Sequence, residues 1–474
     1  MEASASISLA VKSDGTVWSW GFNSKGQLGN SSTTNSNLPA QVSGFTGALA
    51  VAGDSNHSLA LTSDGSIWAW GDNTDGQFGN GATAASTVPV LGPSGFAPVP
   101  PLPPALGFIP VTPCRVADTR NPVGPFGGPT LSGGTPRSFS IPSSACNIPP
   151  TAAAYALNVT VVPTVPLGFL TVYPTGVPLP VTSTLNSWDG RVKANAAIVP
   201  AGTGGGVSVY ATSQTDVILD ISGYFVPSTP SALEFFTLTR CRIADTRTAT
   251  GPLGGPFLAA NQQRAFPILS STCNVPSTAQ AYSLNFTAVP HGGLGHLTTW
   301  PTGQSQPVAS TLNSWGGQVT ANAAIVPAGT AGEINVFASD DTDLVIDING
   351  YFAPAPGGLS LYNLTPCRVL DTRNPSGAPP FSGTQTTSVF GSLCGADASA
   401  QAFVFDATVV PAVPLGHLTL WPEGQPQPNV STLNSWDGVV TSNMAILPAT
   451  NGLINEFATS STHLILDISG YFAP

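Results

Sequence analysis

The chain has 474 residues, 42% of them hydrophobic and only 8% charged, with a formal net charge of −11. That length allows about three or four domains with real cores, and the apolar fraction excludes intrinsic disorder. Only 13 basic residues, with no basic run, exclude a nucleic-acid binder, because such proteins cluster Lys and Arg to displace counterions. No window approaches the roughly 20 apolar residues of a membrane-spanning helix. Gly and Pro contribute 51 and 46 residues, a composition of short strands and many turns.

The chain opens MEASASISLAVKSDG, which has no basic segment followed by an apolar one, so no signal peptide is read there. Next comes a repeat with a period of 50, in which SDGTVWSWGFNSKGQLG (Ser13–Gly29) aligns with SDGSIWAWGDNTDGQFG (Ser63–Gly79). Each copy reads as a tight turn, a strand and a Gly-rich return. The pattern resembles the RCC1 repeat of β-propellers, over about residues 5–92. The resemblance implies two blades, protein–protein binding through loops, and further blades upstream in a longer chain, since two blades leave open edges. The first blade is expected to lack its opening strand. His57 is placed at a strand end of this repeat rather than as a ligand.

The predicted organisation is a propeller fragment at 1–92, a Pro-rich semi-rigid linker at 93–107, and three copies of a second repeat at 108–227, 235–354 and 359–474. Each copy opens with Cys-Arg-x-x-Asp-Thr-Arg, at Cys114–Arg120, Cys241–Arg247 and Cys367–Arg373. Then come a Gly/Pro-rich loop, a second cysteine and a core strand such as AYALNVTVVP. The strings GFLTVYP, GHLTTWP and GHLTLWP hold one position, followed by STLNSW at Ser183–Trp188, Ser310–Trp315 and Ser431–Trp436. Each copy ends in Asp-Ile-x-Gly-Tyr-Phe. The six cysteines fall as one pair per copy, Cys114/Cys146, Cys241/Cys273 and Cys367/Cys394, without the CxxC spacing of zinc or redox sites. One disulfide per copy is predicted, which places the protein in an oxidising, exported setting and puts the export signal upstream of Met1.

About eight short apolar or alternating segments fill each copy, and none has helical periodicity. The fold class is therefore all-β: a partial propeller plus three antiparallel β-sandwich modules, with jelly-roll and Ig-like topologies both open. The triplet resembles a tandem β-module of secreted and cell-surface bacterial proteins, with the pattern RxxDTR, LNVT, GxLTVYP, LN and DxxGYF. That resemblance implies a compartment and an architecture rather than a reaction.

Charge is scarce, so its repetition is informative. Arg115, Asp118, Arg120 and Asp220 recur as Arg242, Asp245, Arg247 and Asp347, and as Arg368, Asp371, Arg373 and Asp467. These residue types suit a carboxylate pair for glycoside cleavage or an anion site. The favoured reading is an ion-pair lock pinning the first strand to the last, with each arginine depressing its neighbour's pKa. Trp188, Trp315 and Trp436 are candidates for stacking on sugar rings, weighed against the favoured reading that they cap the sandwich core.

Three further features read as structural. Asp340, Asp341 and Asp343 form a solvated turn. His296 and His417 stand in for the aromatic Phe169. Asn158, Asn285 and Asn429 match glycosylation sequons within predicted strands. No nucleophile elbow, metal-ligand motif or phosphate loop occurs, so no cofactor, metal or catalytic residue is assigned. The functional expectation is a non-catalytic exported protein of the extracellular space or cell surface, with adhesion to protein or cell-wall glycan partners. The alternatives are a carbohydrate-binding array serving an enzyme elsewhere in a longer gene, or a stalk displaying the propeller.

Overall fold

A computed structural model describes residues 2–3, 6–12, 14–93, 103–354, 356–374, 379–449 and 451–474. The chain divides into two units, Met1–Leu102 and Pro103–Pro474. The Pro-rich linker falls largely on residues outside those described, and its last two residues are drawn into a strand that begins at Leu106. Regular structure among the described residues is β-strand with four short 3-10 turns.

The first unit holds two four-stranded antiparallel sheets in chain order. One is β1 (Glu2–Ala3), β2 (Ile7–Val11), β3 (Val17–Gly21) and β4 (Ser36–Gln41); the other is β5 (Ala48–Gly53), β6 (His57–Thr62), β7 (Ile67–Gly71) and β8 (Ser86–Leu91). The expectation that the first blade lacks its opening strand is corrected: β1 pairs with Leu9 and Ser8. Two residues are enough for that ladder but too few to show alternation. The GxN string explains itself locally. Gly21 and Gly71 have φ of 115° and 101°, and a Cβ there would stand 2.4 Å from a backbone carbonyl. Asn23 and Asn73 then accept the Leu28 and Phe78 amide N–H groups and donate back to loop carbonyls, which shapes each Gly-rich return. The blades share one core, in which Ile7, Leu9 and Val17 meet Ala60 and Trp70.

In the second unit the first repeat comprises β9 (Leu106–Asp118), β10 (Arg137–Ser140), β11 (Ala154–Pro163), β12 (Phe169–Pro174), β13 (Leu185–Asn186), β14 (Lys193–Pro200), β15 (Gly206–Ala211) and β16 (Thr215–Pro227). One sheet has the order β14-β11-β16-β9 and the other β10-β15-β12-β13, all antiparallel. Successive strands alternating between two sheets in this order make a jelly roll, not an Ig-like sandwich. The second repeat pairs its strands in the same way. So does the third, where one long strand, Leu453–Ala473, serves both sheets. Each repeat has its own apolar core and its own disulfide, Cys114–Cys146, Cys241–Cys273 and Cys367–Cys394.

The three jelly rolls also share a fourth core about a pseudo-threefold axis. The starts of the three first strands meet there, Leu233 opposite Phe108 and Leu361 opposite Leu106. The Phe of each Gly-Tyr-Phe points onto the axis, and Phe225, Phe352 and Phe472 form a triangle with ring centroids 6.2–6.4 Å apart. The glycine before it makes room: a Cβ on Gly223 or Gly350 would fall 2.1 or 2.3 Å from the ring of Phe108 or Phe235. The closing motif is thus a packing device for a three-part ring. Phe352→Ala should cost about 3–5 kcal/mol and lower one calorimetric transition for the whole of 103–474. If only about a third of the unfolding enthalpy shifts, the repeats fold independently.

Candidate functional site

The recurring charges lie on the face of each repeat's first sheet that is turned away from its own core. Strand register sets Arg115 opposite Asp220, Arg242 opposite Asp347 and Arg368 opposite Asp467. Each fork is bidentate: Arg115 donates at 2.8 and 3.2 Å, Arg242 at 2.9 and 3.3 Å, and Arg368 at 2.8 and 3.1 Å. The second arginines do not join this pair. Arg120, Arg247 and Arg373 fold back on Asp118, Asp245 and Asp371, which also accept the first arginine's remaining Nη1. Burial works against ionisation at Asp118 and Asp245, but the Arg120 and Arg247 forks outweigh it and hold both carboxyls low. Hydrogen bonds from Arg373 do the same at Asp371. At Asp220, Asp347 and Asp467 the expected depression is reversed. These carboxyls are 3–4% exposed, and burial raises them despite their arginines.

That buried face is covered by the STLNSW segment of the next repeat. Ser310 donates its N–H to Asp220 and accepts from Asn158 Nδ2 through its carbonyl, at 3.1 and 2.5 Å. Ser431 accepts from Asn285, and Ser183 donates to Asp467, so the third repeat receives the first. The next residue is also committed. The Thr184, Thr311 and Thr432 carbonyls each accept at 2.6 Å from Asn195, Asn322 or Asn443. Those three asparagines are fully buried and link the repeats cyclically. Asn322 also donates to Asn158 and accepts from the Ala196 N–H. Asn443 does this to Asn285 and Ala323, and Asn195 to Asp406 and Met444. Sequence reading passed over them, although an Asn at the head of each NAAIVP-like strand recurs at the STLNSW spacing.

The rest of the string turns outward. Leu185, Leu312 and Leu433 fill the cores. The hydroxyls of Ser187, Ser314 and Ser435 close the turn onto a carbonyl four residues on, each at 2.7 Å. Trp188, Trp315 and Trp436 are left 59%, 64% and 59% exposed. The expectation that these rings cap the core is therefore corrected: the leucine takes the core position and the serine bend throws the ring into solvent. The buried aromatics are Tyr173, Trp300 and Trp421, one strand earlier. Trp315 borders the mouth of the pseudo-threefold axis, beside Arg191 and Asp437. Trp436 borders a groove of about 370 Å³ between the second and third repeats, with Arg242, Arg247 and His417.

The three seams are not identical. Pro113 and Pro366 border small cavities of about 40 Å³ at two of them. At the third, Arg240 takes that position and donates to the Leu420 carbonyl and Thr432 Oγ1, with burial pushing its guanidinium down to about 10. In the third repeat, Glu456 stands where Val209 and Val336 pair in the others. It is fully buried with both oxygens unpartnered.

The remaining candidates fold into the scaffold. Asp340, Asp341 and Asp343 accept from Gly295, Ala260 and Thr246. Among the described residues no cluster of three or more His, Cys, Asp or Glu could hold a metal. His296 and His417 stack on Phe337 and Phe457 as Phe169 does on Tyr210, and burial lowers both imidazoles. Asn158 and Asn285 lie in strands at the seams, with their amides engaged. Asn429 is corrected to an exposed bend outside any strand. No helix among the described residues is long and apolar enough to cross a membrane.

Residues 14–61 and 64–97 match the Regulator of chromosome condensation (RCC1) repeat, and residues 50–77 match a second form of it, so the first unit holds repeats similar to that family. Among solved structures, human WBSCR16 shares 30% identity over 18% of this chain and 23% of its own, with a TM-score of 0.17. Prp20p from Saccharomyces cerevisiae shares 22% over 19% and 24%, with a TM-score of 0.18. Yeast RCC1 (Prp20) bound to Kap60 shares 14% over 46% and 52%, with a TM-score of 0.16. The chain spans about a quarter to a half of the length of these structures. Comparison with curated proteins gave no match.

Two substitutions test the site's energetics. Asp220→Ala removes the bidentate partner of Arg115, leaving it Asp118 alone, together with the acceptor of the Ser310 N–H, and should cost roughly 3 kcal/mol in denaturant unfolding. An unchanged midpoint contradicts the lock. Glu456 has its carboxyl pushed up to about 8 by burial, against about 4.3 in an unfolded chain. The folded state therefore holds the extra proton, and this residue's destabilising effect grows as pH rises between those values. Glu456→Val should raise the Tm of the second unit more at pH 8 than at pH 5.

Proposed function

We propose that the chain is a non-catalytic, exported, modular binding protein of the bacterial cell surface. In this reading the RCC1-type repeats engage protein, and the three-jelly-roll unit engages extracellular glycan. The observation that carries the reading is the tripled, solvent-exposed tryptophan at one equivalent turn, presented on a rigid frame. Indole faces stack on apolar sugar faces, and three weak sites on one body gain avidity. The carboxyls raised by burial at Asp220 and Asp467 do not favour an enzyme, because the cavities they border are about 40 Å³ and lie in seams, too small for a sugar ring. Three disulfides fit an oxidising compartment. A carbohydrate-binding array serving an enzyme elsewhere would use the same surface. The stalk reading is weaker, because the repeats share a core instead of running end to end.

Binding of the chain to a panel of polysaccharides and bacterial cell walls tests this. Trp188, Trp315 and Trp436 changed together to Ala should abolish binding and leave the melting temperature of the second unit within a few degrees, since the rings are exposed. Undiminished binding by the triple variant, or none by the parent, overturns the reading.

A further inference from the structure

The seam between the third and first repeats carries one substitution that the other two do not. At the first-to-second seam, Asn158 donates its Nδ2 to the Ser310 carbonyl and accepts from Asn322 at Oδ1. At the second-to-third seam, Asn285 does the same with Ser431 and Asn443. The equivalent residue at the third seam is Asp406, opposite Asp467 in the sheet as Asn158 is opposite Asp220. Its Oδ1 accepts from Asn195 Nδ2 at 2.5 Å, as the asparagine oxygens do. Its Oδ2 takes the place of the asparagine nitrogen, and that buried atom has no hydrogen-bond partner. By equivalence with Ser310 and Ser431 at the other seams, the group placed opposite it is the carbonyl of Ser183, whose N–H is bound to Asp467. A carboxylate oxygen facing a carbonyl oxygen in a buried seam is repulsive; a carboxylic acid O–H in the same place is a hydrogen bond.

We infer that Asp406 is a neutral carboxylic acid that donates its proton to the Ser183 carbonyl, so that the seam closing the ring of jelly rolls loosens as pH rises while the other two do not. The surroundings favour the proton. From its own repeat, Asp467 faces Asp406 and adds negative charge, Arg368 is engaged by Asp467 and Asp371, and the Thr408 hydroxyl, the one neutral group there that favours the ionised form, is shared with Ser442 Oγ. From the first repeat come the neutral Asn195 amide and, beside it, uncharged residues that include Thr182, Ser183 and Thr184. Burial and then Asp467 push the Asp406 carboxyl well above its ordinary range. Because the folded form holds the proton, this seam is firmest in acid and weakens as pH rises through the folded pKa. The consequence falls on this seam in particular. The first and second repeats, and the second and third, are joined by short segments of chain. The third and first meet only through side chains and backbone, including Arg191 with Asp437, Lys193 with the Val440 carbonyl, and Ser442 with Asn186. The same seam orients the turn that bears Trp188.

Amide hydrogen exchange of the full chain between pH 5 and 9, corrected for intrinsic rates, tests the inference. Residues 182–187 should lose protection by up to tenfold per pH unit while the closed seam still holds the proton that opening releases, and level off once the carboxyl ionises, as one coupled proton requires, while 309–314 should not. Asp406→Asn restores the arrangement of the other seams and should abolish that dependence. A difference infrared spectrum should also carry a protonated-carboxyl band that Asp406→Asn removes. Flat protection across the range in the parent, or pH dependence surviving in Asp406→Asn, overturns the inference. So does recovery of protection on adding CaCl2 at high pH, because it would place a cation where the proton is assigned.

Discussion

Three buried amides hold the second unit together. Asn195, Asn322 and Asn443 each place one donor on the turn of their own repeat, another on the neighbouring repeat, and their acceptor under a neighbour's backbone N–H. No repeat on its own can complete that set. A buried amide left without partners costs roughly 1–3 kcal/mol for each polar group, and the apolar axis beside it would also be exposed. The unit of folding is therefore the ring. It is a head-to-tail assembly that closes after three steps, written into one chain. The arginine forks act one level below, fixing the register of first and last strands so that each Asp can also receive the next repeat.

Much of this was legible in the sequence. Strand-length apolar segments, turn residues and the spacing of the cysteines define eight-stranded sandwiches, because those signals are local and repeat three times. The order of strands across the sheets is set by pairings more than a hundred residues apart, such as Arg115 with Asp220, and local pattern does not carry it. The ring was hidden for another reason. The residues that face the axis, Ala196, Ala323, Phe225 and Phe352, look like ordinary strand residues when a strand is buried on both faces. STLNSW shows how one string serves several ends. Its serine and threonine backbone belong to seams, its leucine to a core and its tryptophan to solvent. Exact repetition marks the string without separating those roles.

Copies held to one geometry still diverge where the chain breaks the symmetry. Arg240 fills a space that proline leaves open at the other seams. Arg191 and Lys193 add charged contacts only where the ring must close without a covalent link. Asp406 and Glu456 place acids in buried positions of the third repeat alone. Such asymmetry is expected once three interfaces that began alike carry different mechanical demands.

Small-angle scattering from residues 103–474 tests the closed ring most directly. A compact body of that length should give a radius of gyration of about 21 Å. Three separate sandwiches strung on short linkers would give about 30 Å or more, and that value would contradict the shared axis, the asparagine triad and the seams built on it.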